Sequence, residues 1–398
     1  MTRNHTKLPF HILKANQFIL SLFLFVFINV GLYAFSAIYH DKVSLNVFNY
    51  SHGGTHHYLS DPRIENLAKF NFLRSWGSYD GQWYLEIAEQ GYPRKPTGDS
   101  VLRYAFFPLY PMLLKCANFF FNNIELTAFI LTQVILILNF FSIYYVLSKL
   151  FNLNLAVKTI FLFFTLPLSV FYRSYYTEGL FLFLEIWFLY HLVRKNFLLC
   201  GVFLGLLNIT RGSGLPLVLV LLFAVYKGLK SQRISLMTAH LSIIASMIPI
   251  FFWMGFNYIN TGSPFFFHQA HSYWFPNYFP LITLIYNLGT VFFFPIMPLH
   301  NFHFSQINIF LMVLSIILLF KSRAFLPKEF WWTSFILFLT PLATRDLMSF
   351  GRFTVVNLPI FLYLSNKVDG SKYLVIVLFF LFLLLLTSLF FINWYWIG

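Results

Sequence analysis

The sequence predicts an all-α protein: a polytopic bundle of about eleven transmembrane helices with one long loop outside the membrane. Three observations predict it. Of 398 residues, 59% are hydrophobic and 10% are charged, whereas a soluble domain carries about 25% charged residues. Apolar stretches recur along the whole chain, the longest meeting the ~20 residues a bilayer crossing needs. Seven of the thirteen carboxylates lie in one loop: Asp41, Asp61, Glu65, Asp80, Glu86, Glu89 and Asp99. No repeat and no low-complexity linker divides the chain, so residues 1–398 read as one integral-membrane domain. It comprises a loop over 40–124 and a remaining bundle over 125–398. The two cysteines, Cys116 and Cys200, sit in apolar surroundings and imply no disulfide framework.

The first span is read at 17–39. It exceeds the roughly 7–15 apolar residues of a signal peptide, so it reads as a membrane helix and not as a cleaved leader. The loop that follows runs about 65 residues, far beyond an ordinary connection. Within it, Asp61-Pro62 reads as a plain helix start. Asp80 heads a short amphipathic pattern, with Trp83, Tyr84, Ile87 and Ala88 on one face and Gln82, Glu86 and Glu89 on the other. Trp and Tyr on such a helix suit the headgroup layer. Residues 105–121 contain Pro108, Pro111, Lys115 and Asn118, and read as a second interfacial helix. Further spans are read at 125–148, 157–175, 179–193, 197–211, 214–226, 236–258, 305–320, 329–343, 353–366 and 372–393. Residues 279–300 are apolar enough to cross, but a crossing there would move the Lys321–Lys328 loop to the opposite side. They read as re-entrant or interfacial.

Alternating these spans gathers fifteen Lys and Arg residues on one face: Arg3, Lys7, Lys14, Lys149, Lys158, Arg194, Lys195, Lys227, Lys230, Arg233, Lys321, Arg323, Lys328, Lys367 and Lys372. Only Glu329 and Asp369 accompany them as clear acids. That face is cytoplasmic by the positive-inside rule, and so is the N-terminus. The same asymmetry accounts for the net charge of +14, so no nucleic-acid partner is expected.

Ionised groups are expensive within lipid and tend to mark function there. Asp80 sits at a helix start, where a simple N-cap and a functional carboxylate are equally good readings. Other polar groups end spans on the same, extracytoplasmic face. They are Arg173, Tyr175, Tyr176, Thr177 and Glu178; Asn208, Thr210 and Arg211; and Arg345, Asp346, Ser349 and Arg352. Singly, each arginine reads as a snorkelling side chain. Together with a carboxylate, they suit bidentate recognition of a lipid phosphate. His56-His57 and His268/His271 have no acidic partner at ligand spacing and read as solvated or hydrogen-bonded. Glu185, in mid-span, requires a partner, a proton or a cavity.

The string Tyr79-Asp80-Gly81-Gln82-Trp83-Tyr84-Leu85-Glu86-Ile87-Ala88-Glu89-Gln90-Gly91-Tyr92 resembles the first-loop signature of the PIG-V-type mannosyltransferases, integral-membrane enzymes of the GT-C superfamily. Ala105-Phe106-Phe107-Pro108-Leu109-Tyr110-Pro111 is similar to the aromatic–proline segment that follows it in that family. Tyr176-Thr177-Glu178-Gly179, Thr210-Arg211-Gly212 and Gly351-Arg352-Phe353 resemble later motifs, and all occur in family order. Tyr79 stands where the family often has Trp. The chain is short beside the eukaryotic enzyme, which implies a prokaryotic-type relative with another acceptor.

The resemblance implies a GT-C-like glycosyltransferase that moves a hexose, mannose in the family, from a polyprenyl-phosphate-linked donor to a lipid or glycan acceptor. The reading is of an inverting transfer with Asp80 as general base and Arg211, Arg352, Arg345 and Arg173 on the donor phosphate. Trp83, Tyr84, Glu178 and Tyr176 would bind substrate, with no metal or other cofactor and with membrane lipids around the bundle. The absence of a G-x-G-x-x-G loop after a strand agrees with a lipid-linked donor. A transporter or flippase of a lipid-linked saccharide shares much of the pattern, but should show matched broken helices in both halves. Pro167 interrupts a span, with no matched partner read in the second half. A scaffold gives no reason for charges to converge on one face.

Overall fold

A computed structural model describes residues 10–40, 71–272, 302–344 and 349–393, with isolated positions 282, 285 and 397. The described residues are helical throughout, with no strand among them. Five helical segments are long and apolar enough to cross a membrane: Asn16–Tyr39, Ile124–Leu150, Gly212–Lys230, Leu236–Thr261 and Gly370–Ile392. Shorter apolar helices fill the space between them. The chain is a multi-pass integral membrane protein.

The elements are α1 (Phe10–Tyr39), α2 (Phe72–Ser75), α3 (Asp80–Gln90), α4 (Leu109–Phe121), α5 (Ile124–Leu150), α6 (Leu153–Phe164), α7 (Glu178–Val193), α8 (Phe197–Asn208), α9 (Val218–Lys230) and α10 (Leu236–Thr261). There follow α11 (Phe266–His271), α12 (Phe302–Ser322), α13 (Lys328–Thr344), α14 (Phe350–Thr354), α15 (Leu358–Lys367) and α16 (Gly370–Ile392). Local chemistry sets many of the boundaries. Asn123, Asn152, Asn196 and Ser235 each accept a backbone N–H from the first turn of α5, α6, α8 and α10. Gly262, at φ 80°, ends α10 in the left-handed conformation.

Helix α8 crosses α10 unusually closely. A Cβ at Gly201 would lie 2.2 Å from the Ser242 carbonyl oxygen, and one at Gly205 would lie 2.5 Å from that of Ala245. Two small residues four apart thus clear a path for a neighbouring backbone, as they do at many membrane helix contacts.

Two stretches expected as unbroken spans are broken. Residues 157–175 stop at Phe164, and a 3-10 turn, Pro167–Tyr172, follows. Leu166 is extended, as a residue before proline prefers to be, which ends the α-helix. Residues 353–366 divide into α14 and α15, and α15 starts at Leu358 with proline in its first turn.

The short helix at Asp80 is present, but its expected polar face is not solvated. Gln82 and Glu86 are buried along with Trp83 and Tyr84. A 3-10 segment, Gly98–Ala105, supplies Arg103, whose Nη2 donates to Glu86 Oε1 at 2.5 Å and to Gln90 Oε1 at 2.6 Å. Only Glu89 and Gln90 at its C-terminal end are exposed. The 105–121 helix begins at Leu109 and buries Tyr110 and Leu114, while Phe119 and Phe120 stand out from the protein. Expectations at His56, His57, Asp61, Arg345, Asp346 and nearly all of 279–300 lie outside the described residues.

Candidate active site

Four charged side chains from four distant segments meet at one end of the bundle. Asp80 is the first residue of α3 and Glu178 the first of α7. Arg211 follows α8, immediately before the 3-10 turn Gly212–Leu217, and Arg352 lies in α14. Arg352 Nη1 donates to Asp80 Oδ2 at 2.6 Å, and its Nε donates to Glu178 Oε1 at 2.5 Å. Arg211 Nη1 lies 2.5 Å from the same Glu178 oxygen. One carboxylate therefore holds two guanidinium groups, and one of those reaches on to a second carboxylate.

The setting strengthens these contacts. Glu178 is fully buried and Arg211 and Arg352 nearly so, whereas the Asp80 side chain remains 30% exposed. Charges removed from water interact more strongly, and an unpaired one would be costly. Two carboxylates balance two guanidinium groups, so the cluster is formally neutral. The Arg352 guanidinium lies over the rings of Tyr176, at 4.7 Å, and Phe171, at 5.2 Å; that of Arg211 lies over Phe353 at 4.8 Å. Stacking of this kind suits a planar guanidinium especially well. Asp80 is the most exposed member, so a ligand approaching from solvent meets it first.

The turn that delivers Asp80 is strained. Tyr79 has φ 56° and ψ −119°, although it is not glycine. The Ser78 carbonyl accepts from the Gly81 N–H at 3.3 Å across it. The Tyr176 hydroxyl donates to the same carbonyl at 2.8 Å and accepts the Asp80 N–H at 3.1 Å. Asp80 thus presents its carboxylate to an arginine and not to its own helix, which sets aside the plain N-cap reading.

Other expected site residues sit differently. Tyr176, expected to touch substrate, is buried with its hydroxyl engaged by the Ser78–Asp80 turn. Trp83 stacks on Phe106 at 5.6 Å, and Tyr84 packs edge-on to Phe106 and Tyr110. Both are buried within the protein and do not stand out from its surface. Burial, aided by the nearby Glu178 charge, pushes the Tyr84 phenol up to about 12, so it stays neutral at working pH. Its oxygen is 3.3 Å from Thr177 Oγ1.

Arg173 does not join the cluster. Its guanidinium is buried and donates to Asn29 Oδ1 at 2.7 Å, to Ser169 O at 2.9 Å and Ser169 Oγ at 3.0 Å, and to Phe164 O at 3.0 Å. The helix break before Pro167 leaves carbonyls without helical partners, and Arg173 satisfies them. Glu185 is buried too, two turns along α7 from Glu178, and neither of its oxygens has a hydrogen-bond partner among the described residues.

Sequence reasoning missed the Glu86–Arg103 pair and the Tyr79 turn. Only the unlike charges of Glu86 and Arg103 hinted at the first, and nothing at the second. No three His, Cys, Asp or Glu side chains among the described residues gather as a metal site. A cavity of about 400 Å3 between the Gly98–Ala105 turn and α11 is lined by Asp99, Leu102, Gln269 and Ser272. None of the four clustered charges lines it.

The sequence matches no protein-family model and no curated protein. Among solved structures, the crystal structure of ArnT from Cupriavidus metallidurans bound to undecaprenyl phosphate is similar, with a TM-score of 0.51 and 14% sequence identity. The likeness covers 76% of this chain and 57% of that one. The fold resembles that of ArnT. At this identity the likeness is one of architecture, and the present chain spans well under two thirds of ArnT's length.

Proposed function

We propose that this protein transfers a hexose, mannose by sequence resemblance, from a polyprenyl-phosphate-linked donor to a lipid or glycan acceptor at the extracytoplasmic membrane face. The observation that carries the proposal is the convergence of Asp80, Glu178, Arg211 and Arg352 at the end of a GT-C-type bundle. Their elements are far apart in sequence, and packing alone gives no reason to gather four charges. The solved relative of this fold was crystallised with undecaprenyl phosphate, which favours a ligand of that class here. A flippase of a lipid-linked saccharide would be better served by polar groups along a midplane path.

The chemistry follows from charge. The donor phosphate meets Arg352 and Arg211, and at Arg352 it competes with Asp80 for the guanidinium. Asp80 then accepts the proton of the acceptor hydroxyl. The acceptor oxygen forms its bond to the anomeric carbon as the bond to the phosphate oxygen breaks, and the configuration inverts. The lipid phosphate leaves with the negative charge, which the two arginines stabilise. Glu178 holds both arginines at that locus.

Asp80→Asn should abolish transfer of radiolabelled sugar from polyprenyl-phosphate mannose in membranes while the protein stays folded and inserted. Loss of a general base costs roughly 100- to 10,000-fold in rate. Near-normal transfer by that variant would sink the base assignment. Guanidinium groups answer the phosphate charge, so turnover should survive chelation. Collapse in chelator with recovery on adding a divalent ion would refute that.

A further inference from the structure

We infer that Tyr176 is a positioning residue. Its hydroxyl clamps a strained turn and thereby holds Asp80 on the charged cluster. The inference rests on the transferase reading for its turnover readout only.

Residues Ser78–Gly81 form a turn in which Tyr79 has φ 56° and ψ −119°. These angles match the first central position of a type II′ turn, at about +60° and −120°. Glycine dominates that position because a side chain there is strained. Something must hold a tyrosine in it. Tyr176 Oη touches the polar groups on both sides of Tyr79, donating to the Ser78 carbonyl before it and accepting the Asp80 N–H after it. Relaxation of Tyr79 rotates the peptide groups on either side of it, so both contacts oppose relaxation.

Tyr176 is itself anchored. Its neighbour Tyr175 donates its N–H to the Trp76 carbonyl at 3.1 Å and its hydroxyl to the Leu73 carbonyl at 2.7 Å. Gly81 lies against the same ring, where an added Cβ would meet Tyr176 Cε2 at 3.4 Å. The face of the same ring lies 4.7 Å from the Arg352 guanidinium. A single side chain thus fixes where Asp80 starts and where its arginine rests.

Phenylalanine at 176 keeps the ring and loses only the clamp. With the full-length protein in detergent and polyprenyl-phosphate mannose as donor, Tyr176→Phe should lower kcat by roughly 10- to 100-fold, leaving the donor KM little changed. Adding Tyr79→Gly to that variant should restore most of the loss, because glycine adopts the turn without strain. Wild-type kcat in Tyr176→Phe overturns the inference, as does a double variant no better than the single one. Thermal melting gives a readout that needs no turnover. The shift caused by Tyr79→Gly should be more favourable with Tyr176 present than with Phe in its place, since an unclamped turn has already relaxed. Equal shifts overturn the clamp whatever the chain transfers, whereas absence of transfer by the wild-type protein overturns only the transferase reading.

Discussion

Glu178 carries more of the site than Asp80 does. It is fully buried and one of its oxygens serves both Arg211 and Arg352, whereas Asp80 is partly exposed and engages one of them. Removing one partner of a buried pair costs about 3–5 kcal/mol, because the other charge is left uncompensated. Glu178→Gln should therefore melt well below Asp80→Asn, although both should lose transfer. Equal melting temperatures would show that the two arginines do not depend on Glu178. At this scale the sequence was informative about identity and poor about contact. Arg211 and Arg352 were legible as charged groups at the ends of apolar stretches, and Asp80 as the head of a short amphipathic helix. Arg173 looked the same in sequence, yet its guanidinium turns inward to carbonyls freed by a break that Pro167 causes. Which way an arginine turns depends on neighbours that its own sequence window does not contain.

Among the elements, the closest helix contact makes the sharpest forecast. Gly201 and Gly205 let α8 lie against the backbone of α10. Gly201→Val should force the helices apart and cost about 1–3 kcal/mol or more of stability. Gly255, on α10, has nothing within 4 Å of an added Cβ, so Gly255→Ala should be neutral or slightly stabilising. Thermal melting of the purified protein compares the two, and similar losses would contradict the packing described. Elements were the most legible level, since long apolar runs state their own presence. Their interruptions were harder to see. The division between α14 and α15 depends on a proline at the second position of α15, which marks a helix start as readily as it does a bend. The pairing on α3's polar face was not legible, because Arg103, which meets Glu86 and Gln90, lies in what reads as an unremarkable stretch of loop.

For the molecule as a whole, the proposed orientation in the membrane rests on charge alone. The proposal puts the Asp80 end outside the cytoplasm and the Lys227–Arg233 turn inside. With Cys116 and Cys200 replaced, Lys95→Cys should react with an impermeant maleimide in intact cells, and Ser231→Cys only after permeabilisation. The reverse pattern would move the site to the cytoplasmic side and remove the argument for a lipid-linked donor. The all-helical architecture was legible from composition. The way the site closes was not, because ion pairs between remote segments leave no periodic trace.

That remoteness bears on how the protein is made. Asp80 and Arg352 are 272 residues apart, so the ribosome has completed most of the chain before they can meet. A nascent chain halted before residue 352 would hold two acids against a single guanidinium group. The end of the bundle would then carry surplus negative charge where a finished molecule is neutral. Synthesis of the segment that carries Arg352 is thus the step that neutralises the cluster.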